Sequence, residues 1–189
     1  MTKESLRRLI RQRKQLLSLE ERERQSNEIM SLLEDKLVFQ KARVILLYAS
    51  LPDEVQTQAL LERWYKQKRI LLPVVCGEEL ELREYKGGHT MHKGCLGILE
   101  PHESPLFTDF SLIDLAIIPG LAFTPDGKRL GRGKGYYDRL LAQGGFQSVH
   151  KIGFAYTCQM LSELPISPHD ILLDEVITSD SVKSTIKNL

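Results

Sequence analysis

Cysteine is scarce in this chain, and its few cysteines form no pair motif. There are three, at positions 76, 95 and 158, an odd number that includes no Cys-x-x-Cys pair. Such spacing argues against a disulfide framework and fits a reducing compartment. We therefore predict a cytoplasmic protein.

The chain also lacks a charge excess and a long apolar run. Its 26 Lys and Arg residues nearly balance 25 Asp and Glu residues, for a net charge of +1. This balance provides no overall attraction to nucleic acid or to a membrane surface. No apolar run reaches the roughly 18 residues of a membrane span, and the first residues carry no apolar core of the secretory type. We expect no nucleic acid and no membrane as partner, and any anion site has to be local.

Internal repeats and low-complexity linkers are absent as well, so residues 1–189 are predicted to form one α/β domain. Residues 2–17 and 18–37 have the apolar periodicity of helices. Apolar runs at 44–50 and 69–75 have the length of buried parallel strands, with a helix expected between them at 55–68. Further strands are predicted at 79–85, 95–99, 114–123, 151–156 and 172–178, and a short helix from 136 to the glycines at 144 and 145.

What the chain does have is one dense motif, RLGRGKGYYD, at residues 129–138. Its three glycines leave backbone N–H groups open to a ligand, and Arg129, Arg132 and Lys134 supply the charge that a phosphate chain needs. The motif follows an apolar run and precedes the short helix, an order typical of anion-binding loops. A phosphate-binding loop is therefore favoured over a merely flexible basic loop.

The motif matches neither of the familiar nucleotide signatures. A P-loop needs Ser or Thr after its Gly-Lys, and here Gly135 follows Lys134. The dinucleotide fingerprint needs a small residue where Tyr136 stands. The kind of phosphate ligand therefore stays open on the motif alone.

Two other segments are candidates for the same site. Lys3 and Arg7 stand four residues apart, on one face of the first helix, where they either clamp a phosphate or are merely solvated. LPDEVQT, at residues 51–57, follows the first buried strand, at the sheet edge where α/β proteins place ligands. Asp53 and Glu54 in this segment suit either a substrate site or the first turn of the next helix.

Metal binding has several candidates of unequal weight. Asp138 and Asp174 are candidate ligands for the magnesium that accompanies nucleotide phosphates, although both also suit ordinary surface or turn positions. A zinc site at His89, His92 and Cys95 is disfavoured, because no fourth ligand stands at a usable spacing.

The segments K-x-x-x-R, PDE-x-x-T, PGLAF, RLGRGKGYYD and DEV occur in this order from Lys3 to about Asp180. This ordered set resembles the 5-formyltetrahydrofolate cyclo-ligase family, also called 5,10-methenyltetrahydrofolate synthetase. The resemblance implies a three-layer α/β/α fold with a mostly parallel sheet and two N-terminal helices. It also implies a monomer that uses ATP and Mg²⁺ to convert 5-formyltetrahydrofolate to 5,10-methenyltetrahydrofolate, with release of ADP and phosphate.

The resemblance further implies a role for individual residues. The residues expected to bind ATP are Lys3, Arg7, Arg129, Leu130, Gly131, Arg132, Gly133, Lys134, Gly135, Tyr136 and Tyr137. The residues expected to bind the folate are Leu51, Glu54, Gln56, Arg132, Gly133, Lys134, Gly135 and Tyr136. Arg132 and Lys134 are the candidates for catalysis, and Asp138 and Asp174 for magnesium. Some members carry a carboxylate where this chain has Gln56, so either Glu54 or Gln56 could anchor the pterin.

Two other classes of function stay open beside this resemblance. One is a regulatory protein that binds a nucleotide or a folate on the same scaffold without turnover. The other is a sugar-phosphate isomerase or an acyl-CoA-type enzyme of similar architecture. Neither accounts for LPDEVQT and RLGRGKGYYD together, and an isomerase needs a positioned acid/base pair that the sequence does not offer.

Overall fold

The apolar runs of the sequence form the centre of the molecule. The structure is a computed structural model, and it describes residues 1–94, 97–102 and 104–181. The strands are β1 (Val44–Leu46), β2 (Arg69–Cys76), β3 (Glu79–Glu84), β4 (Met91–Lys93), β5 (Leu99–Pro101), β6 (Leu106–Phe107), β7 (Leu115–Ile118), β8 (Ala122–Phe123), β9 (Arg129–Leu130), β10 (His150–Phe154) and β11 (Glu175–Ile177). The helices are α1 (Lys3–Gln15), α2 (Leu19–Glu34), α3 (Leu37–Lys41), α4 (Gln58–Trp64) and α5 (Tyr136–Leu141). Short 3₁₀ helices cover Gly88–Thr90, Phe110–Leu112, Phe146–Ser148 and Thr157–Gln159.

A seven-stranded sheet runs through the molecule in the order β11-β10-β7-β1-β2-β3-β6. The neighbours from β11 to β2 are parallel, and β3 and β6 extend the sheet in antiparallel pairing. Two-stranded pairs form outside it, from β4 with β5 and from β8 with β9. The predicted α/β fold with a mostly parallel sheet is therefore confirmed.

Helices cover both faces of the sheet, because alternate residues of each strand point to opposite faces. Ile45 of β1 packs in one apolar cluster with side chains of α2, α3 and α4. Its neighbour Leu46 packs in a second cluster with Leu140 and Leu141 of α5. These clusters on opposite faces confirm the three-layer α/β/α arrangement.

The N-terminal helices begin as the sequence predicts, with one addition. Ser18 caps α2, since its Oγ accepts a hydrogen bond from the backbone N–H of Glu21 at 3.1 Å. A further short helix, α3, lies between α2 and β1, so the expectation of two helices before the first strand omitted this element. On α1 the buried side chains are Leu6, Ile10 and Lys14, whereas Leu16 is exposed.

The predicted strand at 114–123 is divided in the structure. β7 ends at Ile118, the chain turns at Pro119 and Gly120, and β8 then pairs with β9 in a hairpin. A Cβ at Gly120 would lie 2.6 Å from the Phe123 ring, so this turn needs glycine. The hairpin therefore separates β7 from the glycine-rich loop, which we define as residues 131–135.

The region around the predicted strand at 95–99 is only partly described. Leu99 begins β5, and Cys95 of the disfavoured zinc candidate lies outside the described residues. Among the residues that the structure does describe, no helix is long and apolar enough to span a membrane.

Candidate active site

A cavity of about 340 Å³ opens at the carboxyl ends of the parallel strands. This is the edge at which open α/β sheets bind ligands, and the volume is in the range of small-molecule sites. The floor comes from the residues after β1 and β7, one wall from β2 and β3, and another wall from the glycine-rich loop with the start of α5. The predicted site residues on its surface are Leu51, Glu54, Arg129, Gly131, Arg132, Lys134, Gly135, Tyr136, Tyr137 and Asp138.

Arg132 joins the glycine-rich loop to the 51–57 segment. Its Nε and Nη2 donate to Oε1 of Glu54 at 3.1 and 2.9 Å, and Nη2 also donates to Oδ1 of Asp53 at 2.6 Å. Burial lowers the pKa of Arg132, but the two carboxylates outweigh it and the net shift is upward. The two motifs that the sequence singled out thus meet at one cavity, and Arg132 stays charged there.

A buried lysine supports this junction from α1. Lys14 is 2% exposed, and its Nζ donates to Oδ2 of Asp53 at 2.8 Å. Burial is the larger influence and lowers the pKa of Lys14, with Asp53 opposing it. Burial would raise the pKa of Asp53, but Lys14 and Arg132 outweigh that effect and lower it. Asp53 is therefore an ionised bridge between two cations.

The other arginine of the motif is a structural part of the cavity wall. The Arg129 side chain is 3% exposed, and its Nη2 donates to Oδ1 of Asp138 at 2.7 Å. Its guanidinium also lies 5.8 Å from the ring centre of Tyr137. Burial, and secondarily the Glu54 carboxylate, raise the pKa of Tyr137, which keeps this phenol neutral.

Lys134 differs from Arg129 and Arg132 because it has no carboxylate partner within the described part of the chain. Its side chain is exposed, and its Nζ lies 5.8 Å from the ring centre of Tyr136. The hydroxyl of Tyr136 donates to the carbonyl of Gly77 at 3.1 Å, which fixes the ring at the cavity wall. Lys134 therefore presents a charge that an anionic ligand can take up.

The two N-terminal cations, Lys3 and Arg7, lie outside the cavity lining. Nε of Arg7 donates to the carbonyl of Gly131 at 3.0 Å. Lys3 pairs instead with Asp170 at 2.5 Å and donates to Ser167 at 2.9 Å. Arg7 thus contacts the glycine-rich loop directly, whereas Lys3 lies against the segment before β11.

Besides Lys3 and Arg7, four predicted site residues do not line the cavity: Leu130, Gly133, Gln56 and Asp174. Gly133 lies in the glycine-rich loop next to the Arg7 side chain. Leu130 is buried against α1. Gln56 points into a shallower groove beside α2, where its Nε2 donates to the carbonyls of Leu51 and Glu54 at 3.1 and 2.7 Å. Asp174 lies at the amino end of β11, where its Oδ2 accepts from the backbone N–H of Lys151 at 2.7 Å. The structure therefore does not bring Asp138 and Asp174 together.

Comparison with known proteins identifies the family of this chain. The model of the 5-formyltetrahydrofolate cyclo-ligase family matches residues 1–179. The chain belongs to the 5-formyltetrahydrofolate cyclo-ligase family. It is 32% identical to the 5-formyltetrahydrofolate cyclo-ligase of Mus musculus, with 96% of each chain covered. It is 29% identical to that of Escherichia coli (strain K12), with 92% of this chain and 98% of the relative covered.

Solved structures support the cyclo-ligase family at the level of the fold. The NMR structure of Aquifex aeolicus 5,10-methenyltetrahydrofolate synthetase superposes with a TM-score of 0.83 at 36% identity, covering 95% of this chain and 90% of the other. A 5,10-methenyltetrahydrofolate synthetase from Mycoplasma pneumoniae gives 0.75 at 28% identity, covering 95% and 99%. The resemblance drawn from the ordered motifs is confirmed, and the chain is a cyclo-ligase by family and fold.

Two charged residues, one in the cavity wall and one beside it, were not among the predicted site residues. Lys14 has a signal in hindsight, because it continues the buried i, i+4, i+8 face of Leu6 and Ile10. Glu100, on β5, lines the cavity although it is 3% exposed. No motif marks Glu100, since it stands in a region rich in glycine and proline that predicted loops.

Proposed function

We propose that this chain closes 5-formyltetrahydrofolate to 5,10-methenyltetrahydrofolate at the described cavity, consuming ATP and releasing ADP and phosphate. The observation that carries this assignment is the Arg132 junction, in which the phosphate-type loop and the 51–57 segment share one cavity. Two substrates have to meet for this reaction, and a cavity bounded by both motifs is the place for them to meet.

The reaction needs activation of a poor leaving group. The formyl oxygen attacks the γ-phosphorus of ATP and ADP departs, leaving an imidate phosphate. The folate N10 then attacks the activated carbon, its proton is lost, and phosphate leaves as the ring closes. No protein nucleophile takes part, so catalysis consists of positioning and of stabilising charge. A site made of cations, glycines and an apolar wall is suited to that task.

The geometry supports different roles for the two cations of the loop. Arg132 is already paired with two carboxylates, so it is held in place and its charge is largely balanced. Lys134 has no such partner in the described residues and is exposed at the cavity mouth. We assign the stabilisation of the transferred phosphoryl group to Lys134, and the alignment of the two substrate-binding segments to Arg132.

Magnesium fits this site through a single carboxylate. Mg²⁺ is commonly held by substrate phosphates, water and one or two carboxylates. Asp138 lines the cavity beside the glycine-rich loop, so it is the residue we propose as ligand. Bound there, the ion would neutralise phosphate charge. Asp174 stays a prediction, and its position at the amino end of β11 gives it no support. Among the described residues, no cluster of three or more His, Cys, Asp or Glu could hold a metal ion.

The remaining assignments are the wall that contacts the pterin, the phosphate contacts of α1 and the location of the protein in the cell. Pro73, Val75, Leu80 and Ile98 give the cavity an apolar wall that suits the flat pterin ring. Lys3 and Arg7 are kept as phosphate contacts of α1. We also propose a cytoplasmic location, on the basis of the cysteine spacing. The monomer that the family resemblance implies stays a prediction.

The proposal is tested by incubating the purified chain with 5-formyltetrahydrofolate, ATP and Mg²⁺ and following the absorbance of methenyltetrahydrofolate. We expect product formation that requires ATP and yields one ADP for each folate closed. Folates with glutamyl tails are included as substrates. Binding of ATP and folate without ATP-dependent product would instead indicate the regulatory protein on the same scaffold.

A further inference from the structure

Besides Glu54 and Asp138, a third carboxylate lines the cavity, and it has almost no partner in the described part of the chain. Glu100 lies on β5, and only 3% of it is exposed. Its single hydrogen bond in the described part of the chain comes from the backbone N–H of Val75 to Oε1, at 3.1 Å. A buried carboxylate is costly unless donors or cations surround it. Glu100 therefore has hydrogen-bonding capacity that the protein itself leaves unused.

Glu100 lines the cavity within an apolar stretch of its wall. The neighbouring lining residues Pro73, Val75, Leu80 and Ile98 carry apolar side chains, so no other side chain in this wall competes for its oxygens. Gly94, which follows β4, makes room for the carboxylate, because a Cβ there would collide with Oε2. The pair β4–β5 thus places one acceptor group in an otherwise apolar wall.

The two residues considered first as pterin anchors are occupied elsewhere. Glu54 takes Arg132 on Oε1 and the backbone N–H of Leu51 on Oε2, at 3.0 Å. Gln56 points into the groove beside α2 and donates to two carbonyls. Both oxygens of Glu54 therefore have donors, whereas in the described part of the chain only Oε1 of Glu100 has one.

We infer that Glu100 binds the pyrimidine edge of the pterin ring, accepting hydrogen bonds from its N3–H and its 2-amino group. This inference rests on the proposed function, since it takes a folate as the ligand. The two donors lie side by side on the ring, which matches the two oxygens of a carboxylate in a bidentate pair. Such an anchor lies on the pyrimidine ring, away from N5, which leaves the formyl group free to face the phosphate loop.

The test compares two ligands and two variants in the absence of ATP. The ligands are 5-formyltetrahydrofolate and the analogue with hydrogen in place of the 2-amino group, with dissociation constants measured by calorimetry. The wild-type chain should bind the analogue at least about tenfold more weakly, as expected for loss of a charge-assisted hydrogen bond. Glu100→Gln should bind 5-formyltetrahydrofolate at least about tenfold more weakly than wild type, because the NH₂ group of Gln would face a donor of the pterin. The same variant should bind both ligands with affinities within about threefold of each other. Glu163→Gln, at an exposed position, should behave as wild type.

Steady-state kinetics distinguishes binding from a general structural effect. For Glu100→Gln the KM for folate should rise while the KM for ATP stays within about twofold. Gly94→Ala should produce the same loss, because its methyl group displaces the carboxylate. Equal affinity of the wild-type chain for the two ligands would overturn the inference without any variant, and so would undiminished discrimination in Glu100→Gln. Absence of ATP-dependent closure by the wild-type chain would instead remove the proposed function.

Discussion

The two cations of the glycine-rich loop differ in what already balances their charge. Lys134 has no ion pair among the described residues, whereas Arg132 is held by Asp53 and Glu54. We expect Lys134→Ala to lower kcat by at least tenfold, which corresponds to about 1.4 kcal/mol of transition-state stabilisation. Lys41→Ala, at an exposed position on α3, is the matched control and should leave kcat unchanged. An unchanged kcat in Lys134→Ala would transfer the role to Arg132.

Gln56 is fixed by its donor group and not by a ligand. Its amide nitrogen donates to the carbonyls of Leu51 and Glu54, so Gln56→Glu would place a carboxylate against two acceptors. We expect this variant to lose about 2 kcal/mol of the free energy of unfolding in urea. Gln147→Glu is the control, because Gln147 uses its oxygen to accept from Gly145 and a carboxylate preserves that bond. Equal stability of the two variants would contradict the assigned orientation of Gln56.

Individual residues show how far a sequence can predict this site. Arg132 and Glu54 belong to dense motifs at a strand end, and the structure brings them together. Gln56, two residues beyond Glu54, points into another groove because the chain turns between them. Lys14 and Glu100 escape prediction because burial of a charge depends on partners distant in sequence, Asp53 in one case and Val75 in the other.

At the scale of elements, the glycine-rich loop depends on backbone conformations that other residues avoid. Gly133 has φ +115°, whereas Gly144 has no positive φ and open space around it. The loop of Gly133→Ala should relax to another conformation when it is free. Returning to the described conformation to bind ATP then costs about 1–2 kcal/mol, which raises the KM for ATP about fivefold to thirtyfold. Gly144→Ala should leave that KM unchanged. Similar KM values for the two variants would show that ATP binds another loop conformation.

The strands that are buried on both faces were predicted best. The second strand was expected at 69–75 and forms at Arg69–Cys76, because its apolar run and its turn signals agree. The run at 114–123 was predicted as one strand and is divided, since apolar periodicity alone does not distinguish a strand from a strand followed by a buried hairpin. The pair β4–β5 was read as loops around one short strand, because glycine and proline dominate its surroundings.

At the scale of the whole molecule, Asp53 links stability to pH. Its pKa is lowered in the folded state, so its contribution is present above the ordinary value of about 3.9 and is lost as the pH falls through the lowered value. We expect Asp53→Asn to lower the free energy of unfolding by about 2 kcal/mol at pH 7, because Lys14 loses its buried partner. The difference from wild type should shrink below about pH 4.

The measurement is denaturant unfolding at a series of pH values from 7 to about 3, within the range where the ordinary carboxyl pKa lies. Asp35→Asn, at an exposed position after α2, is the control and should follow the wild-type curve throughout. If the free energies of unfolding of Asp53→Asn and wild type differed by the same amount across this range, Asp53 would not cause the acid sensitivity of the fold.

The first helix and the hairpin β8–β9 share a small core of their own. Leu6 and Ile10 pack there against Leu121, Ala122 and Leu130, apart from the two clusters that cover the sheet. We expect a unit of this kind to open locally, before the sheet unfolds. The proposed phosphate contacts of α1 and the strand that leads into the loop would then open together. Binding of ATP should therefore slow the amide hydrogen exchange of α1 and of β8–β9 in concert.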